Sequence, residues 1–317
     1  MPELPEVQTV VNGLTDKIVG LKIKDVWTDY NSKYYLGKKS IKDPKFFRKF
    51  KKEIVGAKVV EVQRRAKNIL IFLDNQKVIL VHLKMTGHFL FGKYTFNKKE
   101  KTYIPEGGFV DPKKLKKDKN LQKQVLEKPL TDPFNKFIHF VIDFEKYQLT
   151  LSDMRKFASV TLLDKNEIPE IFRKTGPEIF DLSKKDFLKI FENKKGKIKT
   201  VFMNPEVVAG IGNIYSDEIL WEIGVHPESE VSKIPEEKFG EMLAVSKKIL
   251  KKSIASGGDS MSDFRNIEGK KGKFQNSHKA YKLEKTKCQK KNCCGIIEKK
   301  QIGQRIGRFC KKHQIKY

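Results

Sequence analysis

The chain has 317 residues, of which 38% are hydrophobic, so it is long enough and apolar enough for two folded domains and is not a disordered protein. Its 66 Lys and Arg residues outnumber its 39 Asp and Glu residues, and the formal net charge of +27 favours a polyanionic partner over a small-molecule substrate. The chain has no apolar run of about 18 residues and no signal-peptide core, so we expect a soluble, cytoplasmic protein that binds nucleic acid.

The first six residues, M-P-E-L-P-E, place a proline beside two acids. Removal of Met1 would expose the secondary amine of Pro2, which is a better nucleophile at neutral pH than a lysine because an α-amine has a pKa near ~8. Such an amine condenses with an aldehyde carbon to an iminium ion, which suits covalent carbonyl chemistry. The alternative interpretation is structural, since proline and acids are also common in the first turn of a helix.

A helix is predicted over residues 3–19, where apolar residues recur at helical spacing until Gly20 ends the pattern. Residues 21–91 contain shorter apolar runs that are typical of strands. The clearest strands are 69–73 and 78–83, on either side of a turn at 74–77.

Residues 97–136 are rich in lysine and proline and have no sustained period, so we predict a long insertion or mobile loop. After it the pattern changes from strands to helices, and we place a domain boundary near residue 170. The predicted strands are 137–144, 148–151 and 158–163, and the predicted helices are 183–193, 198–203, 213–223 and 239–254.

The four cysteines lie close together near the C-terminus, with the spacing Cys288-x4-Cys293, sixteen residues, Cys310-x2-His313. Thiolates and an imidazole in tetrahedral arrangement bind zinc, and a small hairpin with little core depends on its metal to fold. Cys294 competes with Cys293 as the second ligand, and free thiols that are merely close in sequence are the alternative. The tip between the two pairs places Arg305 or Arg308 toward phosphate.

A second glycine-rich motif, Gly210-x-Gly212-Asn213, precedes a predicted helix. Glycines at this position allow backbone amides to approach an anion at the helix N-terminus. A nucleotide-cofactor site is excluded, because no strand of a βαβ unit precedes the motif.

Together, the N-terminal P-E-L-P-E, the strand-rich first half and the terminal metal hairpin on a basic chain resemble the formamidopyrimidine-DNA glycosylase family of bacterial 8-oxoguanine glycosylases. The resemblance implies an α+β multidomain fold, with an N-terminal β-sandwich led by an α-helix (1–170), a helical helix-two-turn-helix domain (171–284) and a zinc-binding β-hairpin (285–317). Other segments similar to family motifs are 64–70 (R-R-A-K-N-I-L), 82–87 (H-L-K-M-T-G), 153–157 (D-M-R-K-F), 208–215 (V-A-G-I-G-N-I-Y) and parts of 257–272.

The resemblance implies a bifunctional enzyme of base excision repair. It would flip an oxidised purine, 8-oxoguanine or a formamidopyrimidine, out of duplex DNA, excise it, and cut the abasic strand by β,δ-elimination. Pro2 would attack C1′, Glu3 would protonate the sugar ring oxygen, and Glu6 would help to hold the base. Lys67 is placed among the catalytic residues as well.

The resemblance also assigns DNA contacts and zinc ligands. Phosphates flanking the flipped nucleotide would be held by Lys67, Asn213 and Arg305, and the gap left in the stack would be filled by Met85, Arg155 and Phe157; His139 is a further DNA-binding residue. One structural Zn²⁺ would be held by Cys288, Cys293, Cys310 and His313, since the family's spacing selects Cys293 over Cys294.

Three features depart from the family's pattern: four residues instead of two within the first cysteine pair, His313 in place of a cysteine, and the 97–136 insertion. We expect damaged double-stranded DNA as the partner of a monomer at the bacterial nucleoid, with no membrane and no nucleotide cofactor. The alternatives are an endonuclease VIII-like glycosylase for oxidised pyrimidines, a non-catalytic zinc protein that binds nucleic acid, and a ribosome- or RNA-associated protein.

Overall fold

The computed structural model describes residues 1–261 and 263–317. The chain divides into two compact units. The sheet unit comprises Met1–Pro2, Glu6–Ile171 and Asp259–Gly272, and the helical unit comprises Glu3–Pro5, Phe172–Gly258 and Lys273–Tyr317. The finer division at residues 170 and 284 stays a prediction.

The predicted N-terminal helix is confirmed as α1, Leu4–Ile18. Its apolar residues at positions 7, 10, 11, 14 and 18 are all buried, as expected for one face of a helix with 3.6 residues per turn. The chain turns immediately afterwards at Gly20, whose φ of +89° lies in the left-handed region that glycine adopts without strain.

The sheet region contains a helix that was not predicted, α2 (Pro44–Ile54). Asp43 caps it by accepting a hydrogen bond from the Lys45 amide at 2.9 Å, and Pro44 occupies the first turn. No helix is predicted in this region, and the helical spacing of the apolar residues at 46, 47, 50 and 54 and the preceding Asp-Pro pair are the signals that could have located it.

Two four-stranded antiparallel sheets form the sheet unit, counted over its described residues. Their orders are β1-β8-β9-β5 and β10-β4-β3-β2, and their inner faces share one apolar core with α1, which confirms the β-sandwich. The predicted turn at 74–77 joins β3 to β4. The strands are β1 Asp25–Thr28, β2 Val59–Arg65, β3 Asn68–Leu73, β4 Lys77–His82, β5 His88–Gly92, β6 Tyr94–Asn97, β7 Thr102–Pro105, β8 Ile138–Asp143, β9 Gln148–Ser152 and β10 Ser159–Asp164.

The insertion at 97–136 is structured, so the prediction of a long loop is wrong. Strands β6 and β7 form a hairpin, and two short helices follow, α3 (Pro112–Leu115) and α4 (Lys119–Glu127). The hairpin is held by aromatic packing, because Tyr103 and Phe96 lie 5.4 and 5.8 Å from the Trp27 ring of β1. Short elements fixed by distant aromatic residues leave no periodic signal in sequence.

The helical unit buries α8 (Asn213–Ile223) on nearly every side. Its core also contains a buried ion pair, in which the Lys199 Nζ lies 2.6 Å from the Asp217 carboxylate. Among the residues described, no helix combines the length and apolarity needed to cross a membrane. The other elements of the chain are α5 Ile168–Ile171, α6 Lys184–Phe191, α7 Ile198–Phe202, α9 Glu236–Ala255 and the hairpin β11 Glu298–Ile302 with β12 Arg305–Phe309.

Candidate active site and nucleic-acid interface

Glu3 is fixed to the N-terminus of α8. Its carboxylate is only 3% exposed, and its two oxygens accept hydrogen bonds from the amides of Ile214 at 3.0 Å and Tyr215 at 3.4 Å. These amides are donors that an α-helix cannot satisfy internally, and the helix dipole favours a negative charge there. Pro2, the predicted nucleophile, is buried as well. Because Glu3 is held by α8, the acid directly after Pro2 has a defined position.

The two glycines before α8, Gly210 and Gly212, leave room for the N-terminal segment to pack against the start of the helix. A Cβ on Gly212 would collide with the Glu3 carboxyl group, and a Cβ on Gly210 would lie 2.7 Å from Leu4 Cδ1. Gly210 also accepts a hydrogen bond from the Leu4 amide at 3.1 Å and has a φ of +89°. The anion at this helix N-terminus is thus the chain's own Glu3.

Glu6 contacts the segment 259–272, part of which is similar to a family motif. Its buried carboxylate accepts a hydrogen bond from the Asp259 amide at 2.7 Å. Asp259 is the first residue of 259–272, which belongs to the sheet unit together with Glu6. Ser262, within that segment, is outside the described residues. Glu6, to which the resemblance assigns a role in holding the base, therefore fixes the start of this segment.

The predicted stack-filling residues lie on two loops that are joined to each other. Met85 lies between β4 and β5, while Arg155 and Phe157 lie between β9 and β10. All three side chains are exposed, Phe157 by 49%, and the Arg155 guanidinium lies 4.6 Å from the centre of the Phe157 ring. Apolar and aromatic groups exposed in this way are suited to stacking against bases.

Asp153 is the residue that joins the two loops. It is fully buried, and its carboxylate accepts hydrogen bonds from the Thr86 hydroxyl and from the Ala158 amide, the latter at 2.7 Å. The Thr86 hydroxyl oxygen in turn accepts a hydrogen bond from the Arg155 amide at 3.2 Å. The sequence motif contained Asp153 but gave it no role; the structure shows that it positions the loops of Met85, Arg155 and Phe157.

Replacement of Asp153 by Asn should loosen both loops. The amide can accept only through one oxygen, so either Thr86 or Ala158 faces an NH2 group and a buried donor is left unsatisfied, at a cost of about 1–3 kcal/mol. We expect lower stability in urea and weaker binding to a duplex with an abasic-site analogue. Asp16→Asn, at an exposed position on α1, serves as the control. Unchanged stability and binding in Asp153→Asn would contradict the positioning role.

Lys67 occupies the two-residue tip between β2 and β3, where Arg65 pairs with Asn68. Burial, together with the charges of Lys84 and Lys67, lowers the pKa of His82 to about 4. Asn68, the residue after Lys67, pairs with His82 across β3 and β4, so Lys67 lies near the start of the Met85 loop. The tip and the loop therefore share one end of the sheet unit.

His139 has a different environment from the other predicted DNA contacts. It is 9% exposed, and its Nδ1 lies 2.9 Å from the Asp29 carboxylate, which also lies 3.4 Å from Lys156 Nζ. The structure places it within the sheet unit at a bulge in β8. Its DNA-binding role stays a prediction.

Cys288, Cys293, Cys310 and His313 form one cluster, with one ligand atom of each lying within 4.8 Å of the others. The His313 Nε2 lies 2.9 Å from the Trp221 carbonyl oxygen, which fixes Nε2–H as a donor and leaves Nδ1 facing the cysteines. Cys294 is exposed and outside the cluster. Three thiols and one imidazole in this arrangement fit a tetrahedral metal site.

Packing distinguishes the two arginines of the hairpin. Arg305 begins β12 and is exposed, beside a turn that contains Gly303. Arg308 is 9% exposed, its Nε donates to Glu284 at 3.0 Å, and its guanidinium covers the Tyr281 ring at 4.4 Å. Arg308 is therefore held by Glu284 and Tyr281, whereas the exposed Arg305 can reach a ligand.

Comparisons with known proteins agree with this geometry. Two family models match, the formamidopyrimidine-DNA glycosylase N-terminal domain over residues 1–160 and the corresponding helix-two-turn-helix domain over residues 176–265. Formamidopyrimidine-DNA glycosylases from Solibacter usitatus and Bartonella quintana are similar to the chain at 28% and 30% identity, over 98% and 93% of each chain.

Solved structures of similar proteins contain damaged DNA. The Lactococcus lactis Fpg protein in complex with abasic-site DNA matches with a TM-score of 0.77 and 27% identity, over 99% of this chain and 100% of that one. The same protein with DNA containing Fapy-dG matches with a TM-score of 0.76 over the same shares.

Proposed function

The chain belongs to the formamidopyrimidine-DNA glycosylase family, and on that basis we propose that it excises oxidised purines from damaged duplex DNA in base excision repair and then cuts the abasic strand. The observation that carries the proposal is the N-terminal segment, where the Glu3 carboxylate is held by α8 directly beside Pro2. A binding protein without catalysis has no need of a buried acid ordered next to an N-terminal amine.

The first chemical step uses the lone pair of the Pro2 nitrogen, free once Met1 is removed. The nitrogen forms a bond to C1′ and passes its N–H proton to the Glu3 carboxylate, while the glycosidic bond breaks and its electron pair leaves with the base, which takes up a proton from solvent. Glu3 then donates a proton to the ring oxygen as the C1′–O bond opens, which leaves an iminium ion between protein and sugar. Its two hydrogen bonds from α8 keep Glu3 from rotating away during this step.

Strand cleavage follows from the same iminium ion. Its positive charge acidifies the proton on C2′, so loss of that proton expels the phosphate on the 3′ side, and a second elimination expels the phosphate on the 5′ side. Glycosylase and lyase activities therefore share one nucleophile. Glu6 supports base recognition by holding the 259–272 segment.

Phosphate contacts come from each unit separately. In the sheet unit Lys67 supplies a cation at a hairpin tip, and in the helical unit Asn213 begins α8 and Arg305 begins β12. The Nδ2 group of Asn213 can donate to a phosphate oxygen, whereas its Oδ1, buried with no hydrogen-bond partner among the described residues, can only accept. These contacts would position the backbone, while the Met85 and Phe157 loops fill the stack.

Replacement of Lys67 by Ala should weaken DNA binding and make it less dependent on salt. Loss of one phosphate contact lowers the slope of log K against log salt by about 0.9. Lys52→Ala, which removes one exposed charge from α2, is the matched control and should leave the slope unchanged. Binding titrations over a range of salt concentrations measure both. Equal slopes for Lys67→Ala and the unaltered protein would remove Lys67 from the phosphate clamp.

The metal cluster fits one structural Zn²⁺ with three thiolate ligands and the Nδ1 of His313. The four ligands come from the 288–293 turn and from the residues after β12, so a bound zinc would connect these two segments and fix the hairpin that carries Arg305. The metal takes no part in the reaction at C1′.

Excision from matched duplexes tests the substrate class. We expect release of 8-oxoguanine and of formamidopyrimidine bases to be faster than release of thymine glycol, under single-turnover conditions with enzyme in excess. Faster release of thymine glycol would instead support an endonuclease VIII-like activity on oxidised pyrimidines. Release of neither base would overturn the proposed function.

A further inference from the structure

The insertion at 97–136 is anchored beside the Met85 loop. Asn135 is fully buried, and its Oδ1 lies 3.1 Å from the Nε2 of His88, the first residue of β5. The Phe134 ring stacks on the same imidazole, with 5.6 Å between ring centres. The other His88 nitrogen lies 3.2 Å from the carbonyl oxygen of Thr86, a neighbour of Met85. The insertion is therefore connected through His88 to Thr86, the residue next to the predicted stack-filling Met85.

The base of the insertion also contacts the segment 259–272. The Arg265 guanidinium, which is 4% exposed, lies 4.5 Å from the centre of the Phe134 ring. A Cβ on Gly269 would lie 2.9 Å from the carbonyl oxygen of Pro129. The insertion is thus held on two sides by loops of the sheet unit to which the proposed function assigns DNA contacts.

The outer part of the insertion, α3 and α4, is an exposed basic arm. Neither helix has a buried residue, so apolar packing contributes little to holding them. Asp111 and Asp118 cap the two helices through hydrogen bonds of 2.8 Å to backbone amides. Between residues 113 and 123 the only acid is Asp118, and the net charge is +5. The lysines of the arm, all exposed, are Lys113, Lys114, Lys116, Lys117, Lys119 and Lys123.

We propose that this arm binds the phosphate backbone of the duplex to one side of the lesion. The inference rests on the proposed function, since that function places the Met85 loop at the lesion. Helix α4 has nine residues and is about 14 Å long, which corresponds to roughly four base pairs of duplex. A row of exposed lysines with almost no acids between them is complementary in charge to a phosphate backbone.

The test removes charge from the arm without removing a buried contact. The arm variant combines Lys114→Gln, Lys117→Gln and Lys123→Gln, and the control combines Lys45→Gln, Lys49→Gln and Lys52→Gln on α2, all at exposed positions. Binding is measured to a long duplex with a central abasic-site analogue and to two versions shortened on either side of it. Excision of 8-oxoguanine at saturating enzyme is measured alongside.

For the long duplex we expect the arm variant to bind about tenfold more weakly, with a salt slope lower by about 2–3, while the control binds normally. Shortening one particular side should weaken the unaltered protein but leave the arm variant unaffected, and excision at saturation should not change. Equal losses on all three duplexes, or no loss on any, would overturn the arm contact. Failure of the proposed function would be separate, since the unaltered protein would then show no excision.

Discussion

Protein whose first residue is Pro2 should become covalently joined to abasic-site DNA in the presence of borohydride, whereas protein that keeps Met1 should form no adduct. In the longer protein the proline nitrogen belongs to a tertiary amide, and its lone pair is delocalised into the carbonyl group. It therefore cannot attack a carbon. We expect trapping and strand cleavage to fall by several orders of magnitude, as when an enzyme loses its nucleophile.

The control for this comparison is DNA binding. Both proteins should bind a duplex with an uncleavable abasic-site analogue, because the phosphate contacts do not involve the terminal amine. Mass spectrometry of the N-terminus establishes which protein is present in each sample. Similar adduct yields from the two proteins would show that another amine is the nucleophile.

Loss of the metal should unfold the β11–β12 hairpin and remove most of the DNA affinity. The buried apolar cluster beneath the hairpin is small, consisting of Trp221, Ala280, Ile297 and the two cysteines Cys288 and Cys310. Zinc binding to comparable hairpins is worth about 10–16 kcal/mol, far more than so small a cluster provides. We expect His313→Ala to bind less zinc, to melt at a lower temperature and to bind lesion DNA at least about tenfold more weakly, because Arg305 loses its fixed position.

Two variants make the zinc prediction specific. His313→Cys keeps four tetrahedral ligands and should retain one zinc per chain, and Cys294→Ser should retain it as well because that thiol is exposed and lies outside the cluster. Metal content by mass spectrometry distinguishes the ligands. Zinc lost from Cys294→Ser but kept by a Cys293 variant would mean that the ligand assignment is wrong.

Sequence predicts best where one segment determines its own structure. Helix α1 follows from the spacing of its apolar residues, and the β3–β4 hairpin from two apolar runs around a polar turn. Helix α2 was missed although Phe46, Phe47, Phe50 and Ile54 recur at helical spacing and Asp43 and Pro44 mark its start. The β6–β7 hairpin at the insertion was not predicted because it packs on Trp27, which is far away in sequence.

The candidate site shows the same limit. The motif around Gly212 indicated an anion at a helix N-terminus, but nothing local to residue 212 shows that the anion is Glu3. Asp153 joins two loops that are separated by nearly seventy residues, through a hydrogen bond between residues 67 positions apart. The choice between Arg305 and Arg308 likewise needed the ion pair of Arg308 with Glu284. Each of these depends on contacts that folding alone creates.

The bond between Glu3 and α8 also sets when the enzyme can start to work during its own synthesis. Acid and amide are 211 positions apart in the chain. A ribosome that adds about 5–20 residues per second takes roughly ten to forty seconds to make that stretch. Until then a nascent chain carries the N-terminal proline without an ordered acid beside it. The acid beside Pro2 therefore becomes ordered only after synthesis has passed residue 214, about two-thirds of the 317 residues.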